Sequence, residues 1–219
     1  LYLCACNHKV KRKKLIEKDT YKTIDFPTKE VLYKSKNSKF FGYCFPISSE
    51  EQVNQVLKKL RKEHYSARHW CYAFQIGTEQ TYYRVNDDGE PSGTAGLPIY
   101  GQIQSFELTN VLVVVVRYFG GIKLGVSGLV SAYKETAKMT LECSEIIEKT
   151  IDKQFIIKFD YKDINLVMRV IKEKKLSVVS QKLELDCRIQ IKIRKSDVLT
   201  ILAIFKAIHK VKIREVNQN

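Results

Sequence analysis

The apolar positions change period along the chain, and each change marks an element. Residues 39–47 (KFFGYCFPI) are a dense apolar run that predicts a strand. Ser49-Glu50-Glu51-Gln52 follows as a capping box, with Val53, Val56, Leu57 and Leu60 at helical spacing behind it. Residues 69–77 (HWCYAFQIG) predict a second strand, with His69, Cys71 and Ala73 on one face and Trp70, Tyr72 and Phe74 on the other. A turn at Gly77 to Gln80 and a strand over Thr81 to Val85 complete a hairpin. Thr94 is placed to cap a helix over about 95–107, whose first turn tolerates Pro98. Residues 111–119 (VLVVVVRYF) are β-branched and nearly all apolar, as in a strand buried on both faces. Beyond Gly128, Leu129, Val130, Tyr133, Ala137 and Leu141 line one face of a helix. Together these elements predict an α+β domain over residues 19–142, a mixed sheet with helices packed on it.

Glu142 to Asp152 reads as a linker, and a second pattern begins after it. Phe155, Ile157 and Phe159 alternate as in a strand, and Ile164, Val167, Met168 and Ile171 form a helical stripe. Residues 176–185 and 187–194 are two strands meeting near Asp186. Val198, Ile201, Leu202, Phe205 and Ile208 give a second helical stripe, and Val211, Ile213 and Val216 a last short strand. The order is βαββαβ, the ferredoxin-like split unit, over residues 150–219. Two helices then cover one sheet face, so alternation leaves Lys158, Lys182, Arg188, Lys192, Arg194, Lys212 and Arg214 on the other, with Glu184 the main acid.

Charge sharpens this picture. Lys+Arg number 38 and Asp+Glu 24, a net +14. The excess is divided between residues 1–40 (+7) and 141–219 (+6), and the middle hundred residues carry only +1. Such a field attracts polyanions. The open face of the second unit lacks the paired aromatics of an RNA-recognition motif, so contacts there would go to phosphate and depend strongly on salt.

A hydrophobic fraction of 44% excludes a wholly disordered chain, and 10 glycines with 4 prolines exclude a collagen-like one. No apolar run approaches the ~18 residues of a membrane span. The six cysteines, Cys4, Cys6, Cys44, Cys71, Cys143 and Cys187, are widely spaced, and several lie in apolar runs. They read as free thiols of a cytoplasmic protein. Cys4, Cys6 and His8 match no common zinc spacing. The sequence opens at Leu1, and the short apolar stretch ahead of the basic run Lys9 to Lys14 is no signal peptide. Residues 1–18 read as a basic mobile tail, or as sequence outside the natural start.

Two glycine-rich loops carry the candidate chemistry. They are Asp87-Asp88-Gly89-Glu90-Pro91-Ser92-Gly93-Thr94-Ala95-Gly96 and Arg117 to Gly128 (RYFGGIKLGVSG). Each leads into a helix start, where unpaired N–H groups and a partial positive charge favour anions. Arg117, Gly120, Gly121, Lys123, Gly125, Ser127 and Gly128 are therefore candidate phosphate or RNA contacts, beside Arg188, Lys192, Arg194, Lys212 and Arg214 of the open face. Neither loop is a Walker or dinucleotide motif. The acids of the first loop would repel phosphate. They could hold Mg²⁺ at Asp88 and Glu90, pair with Arg84, Arg117 or Lys123, or accept hydrogen bonds from a base or a backbone amide; ion pairing is preferred. His69 and Cys71 share a strand face, and a buried thiol beside a hydrogen-bonded imidazole is expected in place of a catalytic dyad.

These same residues resemble the IMPACT/YigZ family, and specifically its bacterial YigZ-like branch. The resemblance rests on Ala67 to Phe74 (ARHWCYAF), on Asp87 to Gly96, and on Val113 to Gly128 (VVVVRYFGGIKLGVSG). The motif residues it singles out are His69, Cys71, Asp87, Asp88, Gly89, Glu90, Ser92, Gly93 and Thr94. Trp70, Val126 and Ser127 depart mildly from its pattern. The resemblance implies that the first domain shares the fold of the second domain of the fifth small-subunit ribosomal protein. It implies for the second a ferredoxin-like domain similar to one in the translocating elongation factor. Eukaryotic members regulate a translation stress kinase through an additional N-terminal domain, and that role is not carried over. The expectation is a non-enzymatic cytoplasmic protein with no cofactor that binds RNA or ribosomes through basic surfaces, within translation regulation. The alternatives are an Mg-dependent enzyme or switch acting on a small phosphorylated ligand at the glycine loops, and a module for a protein partner.

Overall fold

The computed structural model describes residues 19–216. The expected tail over 1–18, with Cys4, Cys6 and His8, lies outside the described residues. Two compact units are present, one over Thr20–Ile151 and one over residues 152–216 together with Asp19. No described helix is long and apolar enough to cross a membrane.

The first unit opens with β1 (Thr20–Ile24), β2 (Val31–Ser35) and β3 (Ser38–Pro46), then α1 (Glu50–Glu63), β4 (His69–Ile76) and β5 (Tyr82–Asn86). It continues with α2 (Gly96–Ser105), β6 (Val111–Tyr118), α3 (Gly125–Glu142) and β7 (Ile146–Thr150). Five strands form an antiparallel sheet in the order β2-β3-β6-β4-β5. β6 lies in the middle and its Val111–Val116 stretch is fully buried, as its unbroken apolar run requires.

Alternation along β4 works as expected. Cys71 and Ala73 face a core closed by α2 and α3, with Ile99, Ile103, Tyr133 and Leu141. Trp70 and Phe74 face a second core closed by Val53 and Leu60 of α1. The helix α3 approaches the sheet closely at Gly42, where an added Cβ would fall 2.0 Å from Thr140 Oγ1. Ser49 caps α1, its Oγ accepting from Gln52 N–H at 3.5 Å, while the Gln52 amide oxygen accepts from Ser48 N–H at 2.6 Å.

Three local expectations are corrected. Residues 146–150, read as part of a linker, form β7, which pairs antiparallel with β1 from Thr20↔Thr150 to Ile24↔Ile146. The α2 start is not capped by Thr94, whose hydroxyl donates to Pro91 O at 2.6 Å. The boundary residue of α2 is Ala95, and its capping acceptor comes from Asp87. In the second unit, Val170 occupies the buried stripe beside Val167 and Ile171, and Met168 is exposed.

That second unit runs β8 (Asp152–Asp160), α4 (Ile164–Glu173), β9 (Ser177–Lys182), β10 (Asp186–Arg194), α5 (Val198–Ala207) and β11 (Lys212–Glu215). Its antiparallel sheet has the order β11-β8-β10-β9. Phe155, Ile157, Phe159, Cys187, Ile189, Ile191 and Ile193 pack on one face against Val167, Ile171, Ile201 and Phe205. The residues between them point to the other face.

Candidate functional site: an internally neutralised loop pair and an unmatched basic row

The first glycine loop is organised around its own carboxylates. Asp87 Oδ1 accepts from Ala95 N–H at 2.9 Å and Gly96 N–H at 2.8 Å, and Oδ2 from Gly93 N–H at 2.9 Å. A carboxylate from the end of β5 thus fills the anion position at the α2 start. Glycine serves the loop at Gly93, whose φ of +76° suits the left-handed region, and at Gly96, where a Cβ would meet Asn86 N at 2.8 Å.

Asp88 joins α1 and β4 to the loop. Its Oδ1 accepts from Arg61 Nη2 and its Oδ2 from Trp70 N–H, both at 2.7 Å. Its carbonyl lies 2.9 Å from His69 Nδ1, so that nitrogen carries the proton it donates. Glu90 reaches inward, with only 4% of its side chain exposed, and Arg117 beside it shows 6%. Glu90 Oε1 accepts from Arg117 Nη1 at 2.6 Å and from the Tyr133 hydroxyl at 2.8 Å, with His69 Nε2 3.9 Å away. Cys71 Sγ lies 3.0 Å from Asp87 O and 3.3 Å from Tyr133 Oη. Burial pushes both the Cys71 thiol and the Tyr133 phenol well above their ordinary ranges; the hydrogen bond with Tyr133 offsets part of the thiol's rise, whereas Cys71 adds to that of the phenol.

This arrangement decides among the accounts of the acids. Glu90 is paired with Arg117, one of the expected partners, and Asp88 with Arg61, which was not one; Asp87 instead accepts from backbone amides, and no group of three or more metal-ligating side chains stands here among the described residues. Both Asp88 oxygens and Glu90 Oε1 already accept from protein donors. Arg84 pairs with Glu50 at 2.9 Å and takes no part in the loop. His69 and Cys71 make no dyad, because the thiol is buried and held protonated. Gly89 has a φ of +86°, the Thr94 hydroxyl is spent on Pro91 O within the loop, and Ser92 is exposed.

Arg117 is likewise corrected. A guanidinium held by Glu90, with Phe40 and Phe119 rings at 5.4 and 5.6 Å, is interior structure and is not a surface phosphate contact. Its Nε has no hydrogen-bond partner. In the second loop Gly120 is a packing glycine, for a Cβ there would lie 2.1 Å from the Asn37 carbonyl carbon. Gly121 and Gly125 have φ values of +86° and +74°. Gly125, Ser127 and Gly128 belong to the first turn of α3, and Lys123 is exposed just ahead of it.

The second unit contrasts with this. Strand register sets Lys212 opposite Lys158, Lys158 opposite Arg188, and Arg188 opposite Lys182. Four cations form one row across all four strands on the helix-free face. Lys182 pairs with the exposed Glu184 at 3.2 Å, whereas Lys158, Arg188 and Lys212 make no ion pair among the described residues. Clefts of about 240 and 300 Å³ flank Arg188, the first also lined by Lys158, Lys210 and Lys212 with Asp160 and Asp186. Lys192 and Arg214 lie on the same face, but Arg194 is held by Asp19 at 2.6 Å. Alternation along each strand gave the face, but only the register shows that these four stand in line.

Comparison with known proteins agrees with the family resemblance read from the sequence. The profile of the Impact N-terminal domain matches residues 36–141. YvyE of Bacillus subtilis, an IMPACT family member, is 36% identical over 126 residues, covering 58% of this chain and 58% of that protein. A Haemophilus influenzae IMPACT family member is 35% identical over 148 residues, covering 67% of this chain and 72% of its own. YigZ of Escherichia coli is 33% identical over 133 residues, 60% of this chain and 65% of YigZ. A crystal structure of a hypothetical protein superposes on 92% of this chain and all of its own with a TM-score of 0.70 at 23% identity, a likeness of fold. The profile spans every residue of the Asp87–Glu90–Arg117–Tyr133 network, and with the Haemophilus relative matched over most of its length the chain belongs to the IMPACT family.

Proposed function

We propose that the protein is a non-enzymatic, cytoplasmic RNA- or ribosome-binding member of the IMPACT family, acting at the translation machinery. The Lys212–Lys158–Arg188–Lys182 row carries this reading. Like charges set directly opposite one another weaken a sheet, and a bound polyanion reverses the sign of that contribution. The clefts beside Arg188 give phosphates room to approach between side chains. The second unit is read as ferredoxin-like, supported by its element order and strand order, and the first as sharing the ribosomal-protein domain fold.

The test is binding of the protein to ribosomes and to structured RNA at two salt concentrations. Phosphate contacts make affinity fall steeply with salt, by ~0.7–0.9 log units per log unit of salt for each phosphate neutralised. The Lys158→Glu/Arg188→Glu double variant is expected to weaken binding to all RNA sequences alike and to flatten the salt dependence. No binding by the unaltered protein at low salt rejects the proposal.

A further inference from the structure

We infer that the first unit carries a second, chemically different RNA site: a platform for unpaired nucleotides on the α1 side of the five-stranded sheet, beside its β2 edge. The inference extends the RNA-binding reading to a surface that the basic row does not include. The helix α1 ends at His64, whose ring lies 5.4 Å from Phe41 and 5.8 Å from Tyr118. Past that ring the sheet face is open, and Leu32 and Phe119 are left 40% and 41% exposed.

Register defines what the face presents. Lys34 stands opposite Lys39, and Lys39 opposite Tyr118, in one row. Leu32 stands opposite Phe41 in the next row inward. A hollow of about 320 Å³ is lined by Asn37, Lys39, Phe41, Tyr118 and Phe119. Three aromatic rings, an amide and the exposed Lys39 thus line the hollow, and the exposed Lys34 stands opposite Lys39 in the same row. Neither lysine makes an ion pair among the described residues. Of the acids on this side, Glu30 is engaged by the Tyr43 hydroxyl and Glu63 by Lys59 at 3.8 Å.

Aromatic rings interleaved with unmatched cations are the chemistry of single-strand binding, in which bases stack on rings and phosphates meet lysines. Duplex RNA keeps its bases stacked inside and offers such a surface only phosphate. An apolar peptide would use Leu32 and Phe41 but leave Lys34 and Lys39 without a counter-charge. The occupant is therefore an unpaired stretch of RNA.

The experiment uses the full chain and a 12-nucleotide single-stranded RNA carrying 2-aminopurine, with a duplex of the same length as the control. Stacking on a ring changes the 2-aminopurine emission, a signal that phosphate contact alone does not give. Phe119→Ala is expected to abolish the emission change and weaken single-strand binding about tenfold, while leaving duplex binding unchanged. Lys39→Glu is expected to weaken single-strand binding and reduce its salt dependence. The Lys158→Glu/Arg188→Glu variant is expected to keep the emission change, which separates this site from the basic row. Circular dichroism and melting of each variant show that it is folded, and Phe119→Leu supplies a second variant of similar volume without the ring. Unchanged emission on binding, equal losses for single strand and duplex with Phe119→Ala, or AMP binding as tightly as the 12-mer would overturn the inference.

Discussion

The two charged regions differ in how their charges are matched. In the first unit, the acids of the glycine loop meet donors from β4, β6, α1, α2 and α3, and the Glu90–Arg117 pair is almost wholly buried. In the second, Lys158, Arg188 and Lys212 stand side by side and make no ion pair among the described residues. The first pattern is architecture, because each group completes a bond that holds two elements together. The second sets like charges opposite one another, which disfavours a sheet, and it is the surface proposed above to meet a polyanion. A sequence motif rich in glycine and charge therefore does not by itself mark the binding surface; the matching of its charges has to be known.

The comparison can be broken most severely at Glu90. Glu90→Ala leaves the Arg117 guanidinium buried and uncompensated, and the expected loss is ~3–5 kcal/mol in urea unfolding. Asp87→Ala removes the acceptor for three N–H groups at the α2 start, with an expected loss of ~1–3 kcal/mol by the same measurement. A loss within error for both variants would make the loop a surface feature after all. The alkaline limb of stability provides a third probe. The buried Cys44 thiol is pushed up to about 12 from an ordinary 9.0, chiefly by burial. The unfolded chain loses this proton first, so its contribution to stability is intact below pH 9 and is lost as pH rises from 9 toward 12. Cys44→Ala should flatten this part of the pH–stability curve relative to the unaltered protein. The smallest effect has the opposite sign. Lys158→Gln/Arg188→Gln is expected to raise stability by ~0.2–1 kcal/mol in the absence of RNA, because like charges no longer face each other. A destabilised double variant would place those side chains in the same architectural class as Glu90.

Much of the fold was legible because its periods are clean. The Ile189, Ile191 and Ile193 alternation fixed the inner face of β10, and the valine run fixed the centre of the larger sheet. β1 and β7 escaped because each is only five residues long, with mixed burial, and their pairing spans almost the whole first unit. The Asp87 cap was missed for a related reason. Local capping rules look three residues ahead, whereas Asp87 reaches residues six, eight and nine positions away through a folded loop. The role of Arg117 was hidden because a basic side chain at a strand end is usually exposed; the signal that it would be buried was its place at the end of an otherwise wholly apolar central strand.

The ribbon of β1 with β7 has a topological consequence. Thr20 and Thr150 are opposite one another, so the polypeptide enters and leaves the first lobe through a single gateway. Asp19, the residue before it in the chain, pairs with Arg194 inside the second unit, to which both belong. The 131 residues from Thr20 to Thr150 therefore begin and end at one place. Adjoining ends of this kind are what makes a domain tolerant of circular permutation.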